Sequence, residues 1–181
     1  MERRDFIKKA GLGSAALASL PVVAQGLTTP AWAGEAKGDT RFRAVAISKL
    51  TTGTELANIN LQGRFGDWGI RAVGSFAAWT PEGKAPFPIV ATGYFHATKL
   101  ISFKPIGTFG VLEAGTLMME VKGRYVEPDP GSFTAKVTVI CNIPAGNLLT
   151  GHHEGVTVEG KDFKFEPLDQ EVGITIFVPV V

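Results

Sequence analysis

From Phe42 onward, apolar and polar side chains alternate in short runs that are separated by glycine and proline. In Thr134-Ala135-Lys136-Val137-Thr138-Val139-Ile140-Cys141, the set Ala135, Val137, Val139 and Cys141 shares one face. Thr134, Lys136 and Thr138 share the other, which is the period of a half-buried strand. The same reading predicts strands at Phe42–Leu50, Glu55–Gln62, Gly69–Trp79, Ile89–Phe103, Val111–Tyr125, Phe133–Ile143, Val156–Phe165 and Gly173–Val180. Between them stand turn signals: Thr52-Gly53-Thr54, Gly66-Asp67, Pro81-Glu82-Gly83, Pro105-Ile106-Gly107, Pro128-Asp129-Pro130-Gly131 and Pro144-Ala145-Gly146-Asn147. No segment in this region keeps a helical period over ten or more residues. About eight strands with short turns predict an all-β fold, either an antiparallel sandwich or a closed barrel. Gly69, Gly74, Gly93, Gly110 and Gly115 interrupt or flank strand text. They are expected to mark bulges, barrel corners or close approach of a neighbouring chain segment.

The first 33 residues follow a different rule. Arg3, Arg4, Lys8 and Lys9 precede a mildly apolar stretch from Ala10 to Ala24, and Ala31-Trp32-Ala33 supplies small residues where a signal peptidase cuts. The order Arg3-Arg4-Asp5-Phe6-Ile7-Lys8 resembles a twin-arginine (Tat) signal peptide, with Glu2 where serine or threonine is usual. That resemblance implies recognition by the Tat export machinery, export of an already folded chain, and a periplasmic or extracellular destination. The apolar stretch is shorter than the ~20 residues of a membrane span and is broken by Pro21, so no permanent span is expected. The segment has no cysteine to carry a lipid. The expected organisation is a cleavable signal at 1–33 and a single all-β domain at 34–181.

Charge changes meaning at that boundary. The whole chain has 18 basic and 17 acidic residues, a net +1. The signal carries a surplus of two cations, so residues 34–181 hold 14 basic and 15 acidic residues. A balance so near neutral excludes the broad basic field of a nonspecific nucleic-acid binder. One cysteine excludes an intrachain disulfide. The 148 residues after the signal are enough to bury about 70% of the unfolded surface without one.

Three groups of residues carry candidate chemistry. Cys141, His152 and His153 are side-chain types that hold copper or zinc, and a small exported β-domain suggests a cupredoxin. However, ten residues separate Cys141 from His152, and no methionine follows the histidines. The alternative for Cys141 is a core position beside Val137 and Val139. A second group is His96 with Glu113, a pair for general acid–base work in a barrel cavity if two strands bring them together. Glu113 shares its face with Val111, Gly115, Leu117 and Met119 and is expected to point inward. The third group is Arg64, Trp68 and Arg71 around a turn, with Trp79 further on, as a ligand- or partner-binding rim. Phosphate-loop, nucleophile-elbow and His-Glu-x-x-His motifs are absent. Beyond the signal, the chain resembles only small exported β proteins of uncharacterised role, on the text Phe103–Gly115 and Cys141–Gly146. Three functional classes stay open: binding of a small apolar ligand or a protein partner, a metal or redox protein, and a cavity isomerase or cyclase.

Overall fold

A computed structural model describes residues 38–82, 85–128, 130–142, 152–168 and 172–180. The expected export signal and the Pro144–Asn147 turn lie outside the described residues. The described chain is all-β, and its pairings are antiparallel. Its strands are β1 (Thr40–Leu50), β2 (Leu56–Gly66), β3 (Gly69–Trp79), β4 (Ile89–Phe109), β5 (Leu112–Glu127), β6 (Gly131–Cys141), β7 (Gly155–Gly160), β8 (Lys164–Pro167) and β9 (Gly173–Pro179).

Strands β1 to β8 pair in sequence order, and β8 returns to β1 through Ser48, Lys49 and Leu50, so the eight strands form a closed ring. Closure leaves no sheet edge along the ring at that level. The ninth strand lies beside the first half of β1, with Phe42 opposite Phe177, and touches β5 where Glu113 meets Phe177. One end of the ring is therefore bridged by β9.

Alternation places the core inside. Along β6, Ala135, Val137, Val139 and Cys141 are buried while Thr134 and Lys136 are exposed. Each fully buried valine, leucine or phenylalanine contributes about 1.5–3 kcal/mol. At the bridged end, Phe42, Phe65, Phe103 and Phe177 pack ring against ring, with centroids 4.6–6.2 Å apart. These four rings plug that end.

A polar network ties β9 to the ring beside the plug. Thr175 donates its hydroxyl to the Ile140 carbonyl at 2.7 Å. The Glu154 carboxylate accepts the backbone N–H groups of Thr175 and Asn142, both at 3.0 Å. Asn142 in turn donates its side-chain amide to the His152 carbonyl at 2.8 Å. Buried polar groups persist only when satisfied in this way.

Two boundaries differ from expectation. Pro105-Ile106-Gly107 is not a turn; β4 runs through it with a bulge, and the chain reverses at Gly110 and Val111. β3 pairs with β4 only as far as His96, so Pro105 lies on a stretch with β5 on one side and no paired strand on the other. Proline is tolerated there because no ladder bond needs its missing N–H. The predicted strand Val156–Phe165 is two strands, split at Lys161-Asp162-Phe163, where Gly160 N–H bonds the Phe163 carbonyl.

Candidate functional site

The end of the ring away from the plug holds an apolar cavity of about 220 Å³. Small side chains make the room. Ala57 on β2, Ala78 on β3 and Ala91 on β4 stand opposite one another in register and all line the cavity. Aromatic rings line much of the rest. Phe76, Tyr125, Phe133, Phe163 and Phe165 form a chain of ring contacts with centroids 4.9–6.2 Å apart, several of them edge to face. Those arrangements are the favoured ones for aromatic pairs.

Glycines seat these rings against the sheet. Phe76 is paired with Gly93, Phe133 with Gly123, and Phe95 with Gly74, each across neighbouring strands. A Cβ at any of the three glycines would lie 2.2–2.6 Å from atoms of its partner ring. The same holds for Gly160 beneath Phe163. Of the glycines expected to mark close approach, Gly74, Gly93 and Gly115 do so: each meets a phenylalanine ring and also a backbone carbonyl of a neighbouring strand, that of Asn60, Arg124 and Lys104 respectively. Aromatic cover of a strand glycine also compensates for the surface that glycine leaves unpacked.

Two polar side chains line this cavity, Glu55 and Tyr125. Glu55 Oε2 is buried with no hydrogen-bond partner among the described residues. Burial raises the Tyr125 hydroxyl above its usual pKa of 10.0, which keeps the phenol neutral. The site is an aromatic, largely apolar cup with one carboxylate at its wall.

The residues singled out from sequence lie elsewhere. His96 is exposed and in register with Lys122. Glu113 does point inward, but it sits beside the plug, nine residues from Lys122 along β5. At about 3.3 Å per residue the two groups are roughly 30 Å apart, one outside the ring and one inside. The structure thus separates the proposed acid–base pair.

Cys141 is fully buried on the face of Val137 and Val139, and its thiol donates to the Thr175 carbonyl at 3.1 Å. His152 is exposed, and its backbone carbonyl accepts the Asn142 side-chain amide. Among the described residues, no group of three or more histidine, cysteine, aspartate or glutamate side chains is placed to hold a metal ion. The packing of Cys141 is that of a core residue.

Arg64, Trp68 and Arg71 do come together at the β2–β3 turn. Both guanidinium groups lie over the Trp68 ring, at 5.4 and 5.8 Å. Asp39 accepts the Trp68 indole N–H and approaches Arg64 at 3.8 Å. Trp79 is eight residues beyond Arg71 at the far end of β3, roughly 26 Å along the strand, so the four residues do not form one rim.

No local stretch of sequence marks the aromatic cup, because its residues come from all eight strands of the ring and from the loops before β2 and β8. The strand glycines were the available signal. No protein family, curated protein or solved structure matches this chain.

Proposed function

We propose that the chain is an exported, noncatalytic binding protein whose aromatic cup holds one small ring-shaped apolar ligand. The observation that carries this reading is the asymmetry of the ring: four phenylalanines fill one end, while the other keeps about 220 Å³ open among aromatic and alanine side chains. An apolar protein cavity of about 150 Å³ takes up benzene. The larger cup suits a molecule of one or two fused rings and is smaller than a typical drug-sized site of roughly 300–1,000 Å³. A ligand carrying an N–H or O–H donor would also satisfy Glu55 Oε2, whose unpaired state is otherwise a cost.

The route to the site of action is the Tat-like signal, with Gly34 as the first residue after cleavage. Replacing Arg3 and Arg4 by lysine should leave the protein in the cytoplasm in a fractionation experiment. Export at the parental level would overturn that assignment.

Binding is tested by titrating the full chain with naphthalene and indole and following its thermal midpoint. Dissociation constants between sub-millimolar and micromolar are expected, about −4 to −8 kcal/mol for a ligand of that size. Ala78→Leu fills the cup from its alanine row and should abolish the response while leaving the ligand-free midpoint near the parental value. A response that survives Ala78→Leu unchanged would place the ligand elsewhere and refute the reading.

A further inference from the structure

A second site lies on the outer wall, independent of the aromatic cup. Arg41 on β1, Arg64 on β2 and Arg71 on β3 are direct cross-strand partners, and all three are exposed. Like charges set opposite one another on adjacent strands oppose folding. One row along, Arg43 is opposite Gln62, Gln62 opposite Val73, and Val73 opposite His96.

These two rows border a groove of about 650 Å³ lined by Arg41, Arg43, Arg71, Gln62 and His96, with no carboxylate in its wall. Asp39 engages Arg64 and Trp68, at the groove's margin. Among the described residues, no carboxylate pairs with Arg41, Arg43 or Arg71. The concentration of cations does not follow from a basic protein, because residues 34–181 carry one more acid than base.

We infer that this groove binds a phosphate-type oxyanion, gripped chiefly by Arg41 and Arg71 with Arg43 and His96 beside them. Adjacent strands are about 4.8 Å apart, so Arg41 and Arg71 are rooted roughly 10 Å from each other, on either side of the strand that carries Arg64. Long side chains rooted that far apart can converge on one group between them. A guanidinium presents paired N–H donors that match two oxygens of a phosphate, which a lysine ammonium does not. The groove is larger than a single phosphate and accommodates a diphosphate or a phosphoester. Trp68, stacked on Arg64 and Arg71, holds the guanidinium stems in place at the margin.

The test uses the full chain at low salt with pyrophosphate as soluble probe and phosphatidylglycerol vesicles as membrane probe. Pyrophosphate should raise the thermal midpoint of the parent, and Arg71→Gln and Arg41→Gln should each weaken its binding about tenfold or more. Arg71→Lys should recover only part of the affinity. Without ligand, Arg41→Gln should melt at or above the parental temperature, because it removes a like-charge contact with Arg64; a merely structural arginine would give the opposite sign. Co-sedimentation with phosphatidylglycerol but not phosphatidylcholine vesicles, lost in the same variants and without a pyrophosphate response, assigns the phosphate to a lipid headgroup. Absence of both responses, or responses equal in the parent and the glutamine variants, overturns the inference.

Discussion

Gly123→Ala adds one methyl group to a strand, and by backbone preference alone it should help. Glycine inside a strand costs about 0.5–1 kcal/mol relative to alanine. Gly123 lies within the regular ladder of β5, so its backbone suits either residue. The geometry predicts the opposite sign. A Cβ at this position would stand 2.2 Å from the Phe133 ring, with two more ring atoms within 2.8 Å. Carbon atoms rest about 3.5–4.0 Å apart, so the ring has to retreat by more than about 1 Å. Tyr125, Phe76 and Phe163, whose centroids lie 4.9, 5.9 and 5.9 Å away, hem the ring in, so its retreat has to displace them or intrude on the cup. Overpacking of this kind costs about 1–3 kcal/mol, which outweighs the backbone gain and leaves a net loss of about 1–2 kcal/mol. In urea the unfolding midpoint should fall by about 0.5–1 M. The double variant Gly123→Ala with Phe133→Leu removes the obstructing ring and should recover much of the loss relative to Phe133→Leu alone, a coupling visible in a double-mutant cycle. A Gly123→Ala protein as stable as the parent, or one whose loss is independent of residue 133, would refute the idea that these rings are seated on glycine.

Other consequences concern the plugged end. Glu113 is buried with Oε2 unpartnered, and burial raises its carboxyl above the usual 4.5. The folded chain therefore holds that proton more tightly than the unfolded chain; the stabilisation is whole below 4.5 and is lost as pH rises through the elevated value. Glu113→Gln should make the fall in stability between about pH 4 and about pH 7 shallower in denaturant titrations, and a parallel pair of curves would contradict it. Thr175→Val deletes the buried hydroxyl bond to the Ile140 carbonyl, so a loss of about 1 kcal/mol is expected by urea unfolding; a neutral effect would show that the bond does not secure β9. Cys141 is 0% exposed, so a thiol reagent should label it only on unfolding, in step with the global transition. Rapid labelling of native protein would contradict the packing.

Much of the fold was legible because period-two alternation records which side of a sheet faces the core. The inward set of β6, from Ala135 to Cys141, and the inward aim of Glu113 both follow from spacing alone. What local text misjudged depends on neighbours. Pro105-Ile106-Gly107 has turn composition, yet no strand pairs with that edge of β4, and the strand therefore continues. The glycines in strands were visible, but the rings that cover them belong to the next strand and are fixed by register: Phe76 on Gly93, Phe133 on Gly123. The alanine row Ala57, Ala78 and Ala91 is likewise invisible until β2, β3 and β4 are aligned. Titratable residues stand out in a sequence because each carries its chemistry individually. The cup draws its character from apolar residues acting together, and no short motif encodes it.

One end of this barrel is plugged by four phenylalanines, and the cup at the other is proposed to take a ring. A crystal structure of the full chain soaked with indole tests it most directly. A single indole is expected between the alanine row and the rings of Phe76, Phe133 and Phe163, with its N–H directed to Glu55. Indole bound outside the ring of strands, or a cup filled by collapse of those phenylalanines with no indole inside, would contradict it.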